Sequence, residues 1–303
     1  MALKHIKLKI ASTKKTSTVT RAMEAVSAVK MRKAQERALG GRAYAAAALS
    51  IMERLSGSQD MQREPLMQKR EGKTAIVIIT SDKGLAGALN SNVIRATEQE
   101  IQSQGLSKDD IVMFAIGRRG GDYFLNRGYI VREKHENVSD DISEVDMRMV
   151  TDTLLHMHKE GEIGSAILVY MNFLSTFEQK PVVRQLIPVT PETIKEMVAG
   201  IVPVKGKYAG VGQGESRPNS YTIEPSAEAI VKVLIPRLLN IAVYHGLLEG
   251  KASEHSARMV AMKSATDKAK EMTKMLTRKF NKIRQAAITR EVSEITSGIE
   301  AMK

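Results

Sequence analysis

The last segment of the chain carries one long pattern of helical spacing. Between Leu238 and Ala287, apolar, small, hydroxyl and imidazole side chains recur at intervals that alternate between three and four residues. This is the spacing of a coiled-coil seam. A helix of about 75 residues spans roughly 110 Å. The sequence therefore predicts a helix that no small domain can bury along its whole length and that needs a partner helix.

The first segment supplies a second long helix. Residues 2–56 contain no Pro, and Gly40–Gly41 is the one weak point of the pattern. Its apolar residues recur at multiples of three and four, at Ile6, Ile10, Val19, Met23, Val26 and Val29 and then mostly at Ala. We expect this helix to pair with the last one in antiparallel orientation, because a compact domain joins their inner ends. Thr13 and Ser17 would make its seam weaker than that of its partner, whose C-terminal tip would project beyond it.

The middle of the chain has the pattern of an α/β domain. Continuous apolar, β-branched runs predict strands near 74–82, 111–117, 129–134, 165–174 and 181–189, with helical stretches between the first four. This order predicts a mostly parallel, five-stranded Rossmann-like sheet whose last two strands form an antiparallel hairpin at one edge. The expected parts are an N-terminal coiled-coil helix (1–57), the α/β domain (73–190), a Gly/Pro-rich loop (191–222) and a C-terminal coiled-coil helix (223–303).

The positive charge lies on the two predicted helices. The chain of 303 residues has a net charge of +12, of which residues 1–57 carry +9, residues 222–303 carry +5 and the middle carries −2. Basic helices favour either phosphate groups of nucleic acid or acidic protein and lipid surfaces, and the third interpretation is a solvated face. The acid-poor N-terminus also has the composition of an organelle transit peptide, although its periodicity continues without a break to residue 55.

Composition excludes several kinds of chemistry. The absence of Cys excludes disulfides, thiolate zinc sites and thiol catalysis. Aromatic residues make up 4% of the chain and Trp is absent, which is poor material for stacking nucleic-acid bases. No uninterrupted apolar run reaches the roughly 18 residues that a membrane span requires.

Two Gly-containing turns follow predicted strands, where an α/β fold can bind phosphate. Gly84–Gly87 (GLAG) lacks the spacing of a dinucleotide or P-loop motif, and a tight turn from strand to helix is the simpler interpretation. Gly117–Gly121 (GRRGG) is either an anion site or a solvated start of a helix. The six His residues show no metal-ligand spacing, and His245 and His255 fall on the seam, where a hydrogen-bonded interhelical His is expected. The sequence contains no recognisable catalytic constellation.

The two ends and the first strand resemble one known family. TRAMEAV (20–26), with KMRKAQ (30–35), is similar to the N-terminal signature of the gamma subunits of F-type ATP synthases. TSDKGLAGALN (80–90) resembles that family's first strand and turn, with Ala86 where the family often has Cys. ASEHSARMVAMK (252–263) and FNKIRQAAITRE (280–291) resemble its C-terminal signature. The resemblance covers the whole chain in order.

The resemblance implies a rotor shaft, a non-catalytic subunit that needs no cofactor, metal or small-molecule substrate of its own. The coiled coil would turn inside a ring of alpha and beta subunits, and the α/β domain would lie beside the epsilon subunit on the membrane ring of c subunits. Ion flow would turn the shaft and so couple ion transport to ATP synthesis or hydrolysis. The protein would be peripheral to the cytoplasmic face of a bacterial inner membrane. Its outer face should avoid strong apolar stripes, which would lock the shaft to one subunit.

The resemblance also assigns contact residues. Met23, Arg258, Gln285 and Thr289 match the family's energy-coupling positions, and Arg284 with Gln285 matches its contact with a loop of a catalytic subunit. Tyr221 and Glu224 match contacts to the c-ring. Two alternatives remain at this point: a basic coiled-coil protein that binds nucleic acid, and an α/β enzyme whose helical arms serve oligomerisation.

Overall fold

The computed structural model describes residues 2–40, 64–190, 192–196 and 226–302, together with Ala47 and Ile51. Its first helix, α1, runs over Ala2–Gly40, and its last helix, α5, over Ala227–Glu300. The part of the first helix predicted beyond Gly40, and most of the predicted loop over 191–222, lie outside the described residues. The chain divides into two compact units, one of Met1–Ala28 with Arg258–Lys303 and one of Val29–Ala257.

The first unit is an antiparallel coiled coil. The predicted seam positions of α5 from Met262 to Ala287 are each buried or half-buried between more exposed neighbours. On α1 several of the facing positions are hydroxyl residues, and the Thr20 and Thr266 hydroxyls lie 2.6 Å apart in the interface. A register that sets Thr20 opposite Thr266 sets Leu3 opposite Ile283. Residues 288–302, at the end of α5, are exposed.

The seam predicted for α1 is partly wrong. Ile6 and Ile10 are half-buried, but Val19, Val26 and Val29 are 58%, 55% and 70% exposed. Thr20 and Ser27 are buried in their place. Two stripes of α1, one facing α5 and one facing outward, both repeat every three to four residues and are offset from each other by one position. Because the two helices approach closely, the stripe with the smaller side chains is the one that faces α5. The outer face of α1 therefore carries the apolar side chains that we expected it to avoid.

The second unit contains the predicted sheet. Its strands are β1 (Lys73–Ile79), β2 (Ile111–Ile116), β3 (Ile130–His135), β4 (Ile163–Ser175) and β5 (Glu178–Ile187). They lie in the order β3-β2-β1-β4-β5. All neighbours are parallel except β4 and β5, which form an antiparallel hairpin. The predicted Rossmann-like sheet, with its antiparallel edge, is confirmed.

Helices cover both faces of this sheet, as the apolar strands require. Helices α2 (Leu89–Ser103) and α3 (Arg118–Leu125) pack on one face, where Ile76, Ile78 and Phe124 are buried. Helix α4 (Glu144–Lys159) and the first part of α5 pack on the other, where Val77 and Phe114 are buried. Alternate residues of β1 thus face opposite cores.

The first part of α5 belongs to the sheet and not to a coiled-coil seam. Leu238, Leu239 and Val243 lie in one core cluster with the sheet, so this stretch is buried around most of its circumference. Residues 228–300 include a window apolar enough, by length and composition, to cross a membrane, with a mean hydropathy of 1.4. Because 67% of that window is buried inside the protein, packing accounts for its apolar character.

Candidate functional site

The carboxyl ends of β1 and β2 form the edge at which an open α/β sheet binds ligands. At this edge the chain supplies its own partners to the start of α3. The Arg118 N–H donates to Asp82 Oδ1 at 2.9 Å, and the Gly120 N–H donates to the Thr80 hydroxyl at 2.9 Å. The Asp82 carboxylate lies where a helix N-terminus would otherwise attract an anion. The GRRGG segment is therefore a helix start capped from within the chain.

The turn after β1 is closed by its own side chains. The Ser81 N–H donates to Asn90 Oδ1 at 2.9 Å, and Asn90 Nδ2 donates to the Ser81 hydroxyl at 2.8 Å. Leu85 occupies the left-handed region with φ of 65° and leaves its side chain exposed. The GLAG segment is thus a tight turn from strand to helix.

Helix α5 covers the crevice above these turns. A cavity of about 20 Å³ remains between the strand ends and the helix, with room for about one water molecule. Its lining includes Thr80, Asp82 and Gly117 from the sheet side and Gly250, Lys251 and Glu254 from α5. Within the described ranges, no group of three or more His, Cys, Asp or Glu side chains is arranged to hold a metal ion.

A cluster of charged side chains surrounds the loop between β3 and α4, and sequence reasoning missed it. Asp140 accepts from Lys30 Nζ at 2.7 Å and lies 3.1 Å from His255 Nε2 and 3.3 Å from Lys251 Nζ. The hydrogen bond with His255 holds the pKa of the Asp140 carboxyl well below its usual 3.8, and Lys30 and Lys251 act in the same direction against burial. The tandem acids Asp140-Asp141, in a chain with a basic first helix, were the signal for this cluster.

The residues that the resemblance assigns to the alpha and beta subunits all lie in the coiled-coil unit. Met23 is half-buried on α1, and Arg258 is buried on α5. Arg284, Gln285 and Thr289 are exposed near the end of α5, where the Thr289 hydroxyl donates to the Gln285 carbonyl at 3.0 Å. Tyr221 and Glu224, assigned to the c-ring, lie outside the described residues.

Two exposed apolar stripes extend the candidate contact surface. On α1 the stripe consists of Leu8, Val19, Val26 and Val29, and on the end of α5 it consists of Ile288, Val292, Ile295 and Ile299. Their spacings place each set on one face of its helix. Exposed apolar stripes of this extent are typical of surfaces that contact other proteins.

Comparisons with known proteins agree on one family. A family model described as ATP synthase matches residues 2–302. The chain is 38% identical to the ATP synthase gamma chain of Moorella thermoacetica over 302 residues, which is 99% of each chain. It is 37% identical to the ATP synthase gamma chain of Pelotomaculum thermopropionicum over 303 residues, or 100% of this chain and 99% of the relative.

Solved structures share the fold. A chain in the cryo-EM structure of the Euglena gracilis mitochondrial ATP synthase, which contains OSCP, F1 and the c-ring, matches with a TM-score of 0.63 at 17% identity. That match covers 99% of this chain and 94% of the other. A chain in the central stalk and c-ring structure from Tetrahymena thermophila matches with a TM-score of 0.59 at 20% identity, and covers 82% of this chain and 99% of that one.

Proposed function

Since the chain belongs to the family of ATP synthase gamma chains, we propose that it is the central rotor shaft of an ATP synthase. It couples ion-driven rotation of a membrane c-ring to ATP synthesis or hydrolysis in a ring of alpha and beta subunits. Its partners are the alpha, beta, epsilon and c subunits. The observation that carries this proposal is a full-length match to gamma chains by a protein whose longest element, α5, has 74 residues.

A shaft has to be long, and its outer surface has to meet different partners in turn. Helix α5 spans about 110 Å, and the coiled coil leaves apolar and basic side chains on its outside. Exposed ion pairs are worth only about 0–1 kcal/mol each, so such contacts break and re-form readily. Met23, Arg258, Arg284, Gln285 and Thr289 are the proposed contacts to the alpha and beta subunits. Tyr221 and Glu224 are the proposed contacts to the c-ring.

The subunit is proposed to be non-catalytic and to bind no cofactor. The support is that α5 fills the crevice of the Rossmann-like sheet and that Asp82 caps α3 at the position of a bound anion. Catalysis then belongs to the partner subunits. The complex is membrane-associated, and the proposed location of this chain is the cytoplasmic face of a bacterial inner membrane, as a peripheral protein.

The nucleic-acid alternative gains no support from the geometry. Three basic residues near the end of α1, Lys30, Lys33 and Arg37, are already paired with carboxylates of the second unit. Neutralisation of phosphates needs cations that are available to the phosphate backbone.

Affinity purification of the tagged chain from its own organism tests the proposal. We expect the alpha and beta ATPase subunits to copurify after nuclease treatment, because the coiled coil would be held inside their ring. Recovery of DNA or RNA without those subunits would refute the rotor assignment. As a matched variant, Arg284→Ala with Gln285→Ala should reduce assembly or the cooperativity of ATP hydrolysis, while unchanged kinetics in the reconstituted complex would remove these two residues from the contact.

A further inference from the structure

The loop between β3 and α4, residues 138–142, is held by side chains from two helices. Its alternate carbonyl groups each accept one hydrogen bond. Lys251 Nζ donates to the Val138 carbonyl at 2.7 Å, Arg37 Nη1 to the Asp140 carbonyl at 2.7 Å, and the Tyr244 hydroxyl to the Ile142 carbonyl at 3.2 Å. These three hydrogen bonds satisfy carbonyl groups of the loop and attach its backbone to both helices.

The two carboxylates of the loop are held as well. Asp140 meets Lys30 from α1 and both Lys251 and His255 from α5. Asp141 meets Lys33 at 2.6 Å and Arg37 Nη2 at 2.8 Å. We call the loop 138–142 and its six partners the clasp; the partners are Lys30, Lys33, Arg37, Tyr244, Lys251 and His255.

The clasp has an inner and an outer part. The side chains of Lys251 and His255 are only 11% and 7% exposed, whereas those of Lys33 and Asp141 are 54% and 60% exposed. Salt screens the exposed pair strongly and the half-buried group around Asp140 much less. The interactions of Asp140 are therefore the ones in the clasp that salt weakens least.

The clasp is also the polar attachment of α1 to the α/β domain. Every polar contact described for residues 29–40 of α1 goes to Asp140 or Asp141. Helix α5, in contrast, has a wide apolar contact with the sheet in addition to its clasp residues. Sliding or twisting α1 against the sheet thus requires these ion pairs to break.

We propose that Asp140 is a positioning residue for energy coupling, because the clasp carries load between the α/β domain and the two helices that continue into the coiled coil. This inference rests on the proposed rotor function. A rotor that is driven at its α/β domain and does work at its coiled coil has to transmit force between these parts without slipping. Charge-assisted hydrogen bonds, being short and directional, resist such displacement better than apolar contacts alone.

The test uses the assembled ATP synthase of the same organism in inverted membrane vesicles, with Asp140→Asn as the main variant. The substitution keeps the size and one acceptor but removes the charge. Asp152→Asn, on an exposed part of α4, is the matched control, and Lys30→Gln is a milder variant that weakens the clasp at a side chain 48% exposed. For each, we measure ATP hydrolysis in the detached alpha-beta-gamma complex and ATP-driven proton pumping in vesicles.

For Asp140→Asn we expect the hydrolysis rate of the detached complex to match that of the control. Protons pumped per ATP hydrolysed should fall below the control, and the deficit should grow as the proton gradient rises. Amide protection of residues 139–142 should fall roughly tenfold, the factor for losing one charge-assisted hydrogen bond. Lys30→Gln should show a smaller deficit in protons pumped per ATP. If the Asp140→Asn complex fails to assemble, Lys30→Gln alone still tests the inference.

Two results would overturn the inference. One is a pumping ratio in Asp140→Asn and Lys30→Gln equal to that of Asp152→Asn at every gradient. The other is an equal loss of hydrolysis and pumping in an assembled Lys30→Gln complex, which would indicate a structural role only. Failure of the proposed function is distinguishable, because the unmodified chain would then fail to copurify with alpha and beta subunits.

Discussion

Gly117 occupies a backbone position that only glycine fits. It follows β2 with φ of +100°, and its N–H donates to the His135 carbonyl at 2.8 Å. A Cβ at this position would lie 2.0 Å from the Thr80 carbonyl oxygen. The same close approach lets the Thr80 hydroxyl and the Asp82 carboxylate cap α3. The glycine thus serves the packing of the strand ends and not a phosphate.

Gly117→Ala should therefore destabilise the α/β domain by at least about 2–3 kcal/mol, from backbone strain and the clash together. Gly105→Ala is the control, since Gly105 has φ of +65° and open space around its Cβ position. That change should cost only about 1–2 kcal/mol. Urea unfolding monitored by circular dichroism measures both, and equal costs would show that the close approach to Thr80 is unimportant.

His158 gives the α/β domain a pH dependence. Its side chain on α4 is buried, and among the described residues Nε2 has no hydrogen-bond partner. Burial, with a smaller contribution from the charge of Arg70, lowers the pKa of His158 below 6.5. The unfolded chain therefore binds this proton more readily than the folded one. Stability from this residue is full above the unfolded pKa and is lost as the pH falls through the folded pKa.

We expect the free energy of unfolding to fall between about pH 7 and pH 5, and to fall less in His158→Leu. Asp140 does not contribute in this range, because its carboxyl is ionised in both the folded and the unfolded chain above about pH 5. His156→Leu, on the exposed side of the same helix, is the control. If the free energy of unfolding of His158→Leu and of the unmodified chain changed equally with pH, His158 would not be the source of the pH dependence.

At the scale of elements, sequence patterns predicted the strands better than they predicted the helix faces. The runs in β1 and β2 are buried along their length because both faces of a parallel sheet are covered, so composition alone identified them. In α1 the apolar side chains Val19 and Val26 are exposed while Thr20 and Ser27 are buried. Periodicity cannot distinguish two adjacent stripes when close helix packing, rather than apolar character, selects the seam.

The candidate site was less predictable for a related reason. Lys30, Arg37 and Lys251 look like solvated charges in the sequence, and only the fold brings them to Asp140. His255 was expected to bond across the two helices, and one of its contacts is the carboxylate of a loop more than a hundred residues away. Contacts of that kind depend on the topology of the sheet, which places the loop after β3 against both helices.

The Thr20–Thr266 pair allows the hydrogen bonding across the seam between α1 and α5 to be tested. The two hydroxyls also face the Thr16 and Met262 carbonyls, at 3.0 and 2.8 Å. One hydroxyl therefore donates across the interface while the other donates within its own helix. Either Thr20→Val or Thr266→Val should cost about 1 kcal/mol, because one interhelical hydrogen bond is lost.

The double variant should recover most of that loss, because two methyl groups then pack in place of two hydroxyls. A double-mutant cycle on the free energy of unfolding measures the coupling between the two sites. Thr18→Val, at an exposed position of α1, is the control. Additive effects of the two substitutions would mean that the hydroxyls do not bond to each other.

Across the molecule, the basic residues behind the net charge of +12 have two different roles. Near the end of α1, basic residues bind the clasp loop of the α/β domain. In the coiled-coil unit, Lys14, Lys15 and Arg21 are exposed beside the apolar stripe of α1. Mixed basic and apolar surfaces on a coiled coil suit successive contacts with acidic protein surfaces, since no single contact needs to be strong.

Met23 is a half-buried residue on α1, in the unit that is proposed to turn inside the catalytic ring. Met23→Lys adds a long cationic side chain where the native one is uncharged. The new charge would form an extra ion pair with an acidic partner in some rotational positions and not in others. Rotation would then meet an added barrier that varies with angle, and work done by ATP would be lost before it reaches the c-ring.

We therefore expect Met23→Lys to reduce ATP-driven proton pumping in vesicles more than it reduces ATP hydrolysis. Met23→Leu, which conserves volume without adding charge, should leave both close to the unmodified complex. Higher salt should narrow the gap for Met23→Lys, because a surface pair is screened over about 8–10 Å at physiological ionic strength. Equal loss of pumping and hydrolysis in a normally assembled complex, or a gap that salt leaves unchanged, would rule out this electrostatic origin of uncoupling.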